Sequence, residues 1–444
     1  MTAHDVTPAI CRFEGAGGVK ICGSLKLLLW HKRPEDDAAT FQDPAHAPDR
    51  LRLMKALQIY AGPTALAHVA RHGLRSSHVA AMPAAAGGPK GLILGPLDQF
   101  IFGEWLPESS QPVALVGASI GAWRMATACL NDPVTAFQRL AHDYIHQNYA
   151  LQPGEKRPAA ARVSALFGQN LQAFYGGRVD EVLQHPRFRL HVITSRGRAL
   201  LAREHGWRTA AGYAAAFVSN LAARRALGMW LERVVFSSRL PGLDGSHEAL
   251  APLPFDAADY PTHQVALSAA NFLPAMQASC SIPFVLQAVH DIAGAPSGAY
   301  WDGGVTDYHL HLNWAAARNA TSSIAASPYG KRAGGQKDPI NPGGLVIYPH
   351  FQKSVVPGWL DKHLRWRHRA TPFLDNMIVL APNPDWVTTL PNGKLPDRTD
   401  FTHYGADLAG RVKAWTAAVS ASAQLADEFA AWLARPDPGA VQAL

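Results

Sequence analysis

The pentapeptide Gly117-Ala118-Ser119-Ile120-Gly121 has the G-x-S-x-G form of a nucleophile elbow. A serine on a tight strand-to-helix turn needs small neighbours, because the backbone is crowded there. The helix that follows aims its free N–H groups at the reacting centre, where negative charge develops. A glycine-rich chain of this size holds such a pentapeptide by chance roughly one time in five, so its setting decides. The setting fits: residues 113–116 read as a buried strand and residues 122–130 as a helix. Upstream, Gly87-Gly88-Pro89-Lys90-Gly91 also stands between a strand and a helix. Consecutive glycine N–H groups can turn toward an anionic oxygen and form an oxyanion hole. The Walker A spacing of a phosphate-cradling loop is absent, and Lys90 reads as an electrostatic or structural anchor. The third element, Trp301-Asp302-Gly303-Gly304, suits a tight loop that brings a carboxylate against another loop; alone it also reads as an ordinary Asp-Gly turn.

These groups need a scaffold. Strand-like runs at residues 79–82, 113–116, 190–194, 234–237, 265–268, 285–289, 345–348 and 377–380 alternate with helical stretches. One helix is expected from the glycine loop through Phe102. Another opens at Asp132-Pro133, an N-cap followed by proline, and buries Phe137, Leu140, Tyr144 and Ile145. Leu408, Val412, Trp415 and Val419, then Leu425, Phe429 and Trp432, give a long helical stretch near the C-terminus. Apolar strands alternating with helices imply a three-layer α/β/α fold around a mostly parallel sheet. Residues 54–435 are read as one hydrolase domain, residues 1–53 as a poorly ordered extension and residues 436–444 as a tail. The segment 320–343, rich in Ser, Gly, Pro and Lys, is the expected long surface loop.

Of the 444 residues, 48% are hydrophobic and 17% charged, which excludes a disordered chain. The net charge of +7 is mild for this length and points to an anionic surface rather than nucleic acid. Lys362, Arg365, Arg367 and Arg369 stand among Trp359, Trp366, His363 and His368. That mixture suits a phospholipid headgroup layer, and equally a solvated face whose tryptophans pack inward. The four cysteines Cys11, Cys22, Cys129 and Cys280 form no CxxC pair and no zinc spacing, so no metal or cofactor is expected. A reducing, cytoplasmic setting follows, with peripheral contact to an anionic membrane surface and no membrane span or signal peptide.

Taken together, the loop Gly87 to Gly91, the elbow Gly117 to Gly121 and the Asp302-Gly303-Gly304 turn resemble the patatin-like phospholipase family in their order. The stretch Met276 to Phe284 resembles the family's helix end and proline turn ahead of the aspartate. The resemblance covers about residues 78 to 308. It departs at Ala85 and Ala86, where the family usually has a polar residue and a third glycine. It implies a patatin-like fold and a Ser-Asp dyad: Ser119 as nucleophile, Asp302 as base, and Gly87 and Gly88 as oxyanion donors. It implies a lipid acyl hydrolase of the phospholipase A type, or a related esterase, working through an acyl-enzyme.

A carboxylate is a weak base at its ordinary pKa of ~3.9, so Asp302 must be buried for this to work. Trp301 and the 285–289 strand are the expected apolar walls. The same dyad also serves an acyltransferase or thioesterase. A Ser-His-Asp hydrolase would draw on His309, His311, His350 or His403, and a lipid-binding pseudoenzyme would use none of them.

Overall fold

The computed structural model describes residues 54–155, 157–240, 249–315 and 344–444. The expected N-terminal extension, the loop at 320–343, Cys11 and Cys22 lie outside these residues. Aliphatic and β-branched runs form the strands β1 (Leu57–Ala61), β2 (Val79–Ala84), β3 (Val113–Ala118), β4 (Phe188–Gly197), β5 (Leu231–Ser237) and β6 (Thr262–Ala266). They continue with β7 (Val289–His290), β8 (Ala299–Asp302), β9 (Leu345–Pro349), β10 (Met377–Pro382) and β11 (Val441–Ala443). The main path of the sheet runs β11-β1-β10-β9-β2-β3-β4-β5-β6, with β8 on β4 and β7 on β8.

The five central strands, β10, β9, β2, β3 and β4, are mutually parallel. The flanks β1 and β5 run antiparallel to their inner neighbours. Every residue of β5, β9 and β10 is buried, so both faces of these strands are covered. The fold is therefore α/β with a mostly parallel, mixed central sheet, compatible with three layers, α/β/α.

The chain departs from the expected elements at five places. Residues 285–289 form no continuous strand. Pro283 cannot donate to a ladder, Phe284 takes φ 67°, and the N–H groups of Val285 and Leu286 close a turn onto the Ile282 carbonyl. Only Val289–His290 pairs, with β8. The expected single helix through Phe102 is instead a 3-10 turn at Gly88–Leu94, an α-helix at Gly95–Phe100 and a wide turn at Ile101–Trp105. Pro89 and Pro96 each open a segment, because a proline fits the first turn but cannot continue one. Finally, Val441–Ala443, in the segment expected as a tail, pairs in parallel with Ile59–Ala61 of β1. The strands β1, β8 and β11 were not expected at all.

The Asp132 cap is present: Thr135 N–H donates to its Oδ1 at 3.1 Å, and the helix Pro133–His146 follows. Among the described residues, no helix is long and apolar enough to cross a membrane.

Candidate active site

β3 runs straight into Ser119, which takes φ 57° and ψ −129° before the helix Ile120–Thr127 begins. A positive φ in a non-glycine residue stores strain and must be held by its surroundings. The flanking glycines supply the room. A Cβ on Gly117 would lie 2.4 Å from the Ala122 Cα, and one on Gly121 only 1.9 Å from the Ala84 carbonyl oxygen. The turn is pinned from the other side by Ser279, whose Oγ accepts from Ser119 N–H at 2.9 Å and donates to the Ile193 carbonyl at 2.7 Å. Ser279 lies in the helix Phe272–Cys280.

Asp302 ends β8. Its N–H donates to the Ser281 carbonyl at 2.9 Å, and Gly303 N–H to the Ser279 carbonyl at 3.2 Å. One helix end thus holds both loops. The Ser119 Oγ donates to Asp302 Oδ2 at 2.7 Å, and Gly304 N–H donates to Oδ1 at 2.7 Å. Both side chains are buried, at 4% and 5% exposure. Gly303 and Gly304 are forced by close approach: added Cβ atoms would sit 2.1 Å from the Ile193 oxygen and 2.5 Å from the Ala86 Cβ.

Burial pushes the Asp302 carboxyl up to about 6, against the opposing pull of the Ser119 hydroxyl, Arg398 and the Gly304 N–H. The walls responsible differ from those expected. Trp301 points to the opposite face of β8 and packs on Tyr213 at 5.9 Å, while Val285 is 45% exposed. Instead Ile282, Pro283, Val305 and Tyr308 share a cavity with Asp302.

The glycine loop stands over this pair. Gly88 takes φ 57°, and a Cβ on Gly87 would strike the Phe351 ring at 2.6 Å. Among the described residues, the N–H groups of Gly87, Gly88 and Ile120 have no protein acceptor. Ala86 N–H is already committed to the Tyr308 carbonyl at 2.9 Å. Gly91 packs on Ile120, where a Cβ would come within 3.3 Å. The loop and the elbow are locked by an ion pair absent from the sequence reading. Arg124, in the helix after Ser119, grips Asp98 with two bonds of 2.7 Å, both residues fully enclosed.

The cavity above Asp302 holds about 140 Å³ and is lined by Lys90, Lys362, Arg398 and the carboxylate-bearing Asp397 as well as the apolar walls. Lys90 lies over the Phe351 ring at 5.4 Å and Lys362 over Tyr308 at 5.7 Å. None of these three cations has a salt bridge among the described residues; the nearby Asp397 is taken by Lys394 at 2.8 Å. Desolvation lowers Lys90, and desolvation with repulsion from Lys90 and Arg398 lowers Lys362 to about 8. Lys362 keeps solvent contact at the cavity mouth. Arg398 carries no sequence signal, because it sits in an irregular segment with no motif.

The four candidate histidines lie elsewhere. His311 bonds the Val355 carbonyl and Thr371, His350 the Gln352 carbonyl, and His309 contacts the Ser354 carbonyl and Val356 N–H; His403 is exposed. Among the described residues, no histidine hydrogen-bonds Ser119 or Asp302, and no group of three His, Cys, Asp or Glu side chains could hold a metal ion. What the arrangement can do is move a proton from a hydroxyl to a buried carboxylate beside free N–H donors. No protein-family model matches this chain, and no curated protein matches it either.

Proposed function

We propose that the chain is a patatin-like lipid acyl hydrolase working through a Ser119–Asp302 dyad. The observation that carries this reading is the 2.7 Å bond from the Ser119 hydroxyl to the Asp302 carboxylate, made on a strained elbow inside a buried pocket. A serine hydroxyl becomes a nucleophile only if its proton has a destination in the transition state. Asp302 Oδ2 receives that proton as Oγ attacks the ester carbonyl carbon. The N–H groups of Gly87, Gly88 and Ile120 stabilise the resulting oxyanion. As the tetrahedral adduct collapses, the C–O bond to the leaving alcohol breaks and Asp302 returns the proton to that alcohol. Water then repeats the cycle on the Ser119 acyl ester, releasing the acid. A carboxylate raised to about 6 is ionised at neutral pH, yet basic enough to share the proton.

The substrate's charge follows from the rim. Lys90, Lys362 and Arg398 outnumber the two acids of the cavity, Asp302 and Asp397, and an anionic group next to the scissile ester would relieve the remaining repulsion among them. A cavity of about 140 Å³ is small against the ~300–1,000 Å³ of ordinary ligand pockets. It takes the ester and its charged neighbour, and the acyl chain lies outside. A fluorophosphonate probe tests the reading directly. It should label the wild-type protein on Ser119 and leave Ser119→Ala unlabelled; equal labelling of both removes the proposal.

A further inference from the structure

The helix Gly206–Ala222 turns an apolar stripe to solvent. Its outward stripe is Trp207, Ala211, Ala214, Val218 and Leu221, with Trp207 66% and Val218 65% exposed. The face it buries carries Thr209, Gly212, Tyr213, Ala216 and Asn220, with Tyr213 and Ala216 in the core. A helix on the surface of a globular protein normally turns polar and charged residues outward. Arg208 is the helix's single charged residue.

Two further exposed side chains join this surface. Met229, 58% exposed, ends the turn Arg224–Met229 that packs on the helix. Trp366, 64% exposed, is brought to the helix's C-terminal end by its neighbour Arg367, which donates to the Asn220 and Leu221 carbonyls. Contiguous apolar surface of this kind marks an interaction site.

The rim of the surface is basic. Arg208, Arg225, Lys362, Arg365 and Arg369 are exposed around it. The acidic residues of segments 199–230 and 359–369 are Glu204, which accepts from Ala288 N–H, and Asp361, which is fully buried and held by Asn220, Arg224 and Arg367. Exposed indoles with a cationic surround match a headgroup layer of negative lipid, where rings settle at the interface and guanidinium groups meet phosphate. A second copy fits less well, because a symmetric contact through this face would press one basic rim against another.

We propose that this face, centred on Trp207, Val218, Leu221 and Trp366, docks the protein on an anionic membrane surface. The turn Trp359–Asp361 packs on the same helix, and Trp359 and Lys362 also line the cavity above Asp302. Docking therefore brings the cavity mouth to the bilayer, leaving acyl chains in lipid while the ester enters. That delivery to Ser119 rests on the hydrolase reading; the docking itself does not.

The test is cosedimentation of full-length protein with phosphatidylcholine vesicles, with and without phosphatidylglycerol. Wild type should bind the phosphatidylglycerol vesicles about tenfold more tightly. Trp207→Ser with Val218→Ser should lose about tenfold of that binding while hydrolysing a soluble p-nitrophenyl ester at the wild-type rate. Arg365→Glu with Arg369→Glu, which leaves the apolar stripe intact, should weaken binding and flatten its salt dependence. Wild-type binding to anionic vesicles by both double variants overturns the proposal. So does absence of wild-type binding, or a wild-type dimer that the Trp207/Val218 variant dissociates without change in vesicle binding. Failure of the hydrolase reading shows separately, as absence of fluorophosphonate labelling in protein that still binds vesicles.

Discussion

Ser119 and Asp302 meet because Ala118 and Asp302 pair with consecutive residues of one strand: Ala118 lies opposite Ile193, and Asp302 opposite Thr194. β3 runs parallel to β4 and β8 antiparallel to it, along the same edge, since β5 occupies the other. Two strands thus approach end to end and stop one residue apart. The hydroxyl and the carboxylate are placed by a hydrogen-bonded ladder and not by mobile loops, which is what a proton transfer over 2.7 Å requires.

If that pair is the engine, removing either member should stop it. Ser119→Ala and Asp302→Ala should each lower kcat for a p-nitrophenyl ester by about 10³-fold or more, with little change in KM. The double variant should be hardly slower than either single one, because the two groups act as a unit. His309→Ala, His311→Ala, His350→Gln and His403→Ala should retain the dyad. A loss in any one of them as deep as that of Ser119→Ala would return the assignment to a Ser-His-Asp site.

The pH profile should carry the signature of Asp302. In the proposed dyad the ionised carboxylate accepts the proton, so activity should fall as pH drops through about 6. Arg398 favours the carboxylate and lies at the cavity. Arg398→Ala should therefore move the acid limb upward, and it should raise KM for an anionic ester by about tenfold while leaving a neutral one nearly unaffected. An unmoved limb together with an unmoved KM would take Arg398 out of the site.

The sequence disclosed which residues meet at the candidate site more readily than the architecture that brings them together. Gly117, Gly121, Gly303 and Gly304 stood out because each occupies a position where a Cβ would enter a neighbour, a constraint that leaves a mark on residue type. Ser119 and Asp302 were readable through those glycines. The central strands were also readable, since burial on both faces demands continuous apolar runs. β8 was not, because four residues beginning at a turn carry no periodicity, although its end delivers the carboxylate. The apolar run at 285–289 misled for the opposite reason: its composition is strand-like, but Pro283 turns the chain first. Arg398 and the Arg124–Asp98 pair were invisible, because pairing across tertiary distance has no spacing rule. The outward apolar stripe of the helix at 206–222 hid because alanine and aliphatic residues look alike whether they face in or out.

The Arg124–Asp98 pair yields a stability prediction. Both partners are enclosed, and their two bonds join the elbow helix to the helix behind the glycine loop. Removing one leaves an uncompensated buried charge, a loss of about 3–5 kcal/mol. Asp98→Ala should show this in urea denaturation, and Asp98→Ala with Arg124→Leu should recover part of it because no charge is stranded. A double variant as unstable as the sum of two independent losses would mean the pair is not coupled.

Asp302 itself should cost stability in the conditions where it works. Its carboxyl is raised by burial from the ordinary 3.8 to about 6, so between those values the folded chain holds a proton that the unfolded chain has released. Stability attributable to this group is therefore complete below about 3.8, declines as pH rises, and is lost above about 6. The total is roughly 3 kcal/mol for a displacement of about two units. Asparagine is neutral throughout and can keep both contacts, accepting from Gly304 N–H and donating to the Ser119 oxygen. Asp302→Asn should hence melt at a higher temperature than wild type at pH 8 and near the same temperature at pH 4, while having lost activity at both. The check is a pair of melting curves at the two pH values. A variant destabilised equally at both would show that the carboxylate is held at no cost and that burial does not raise it.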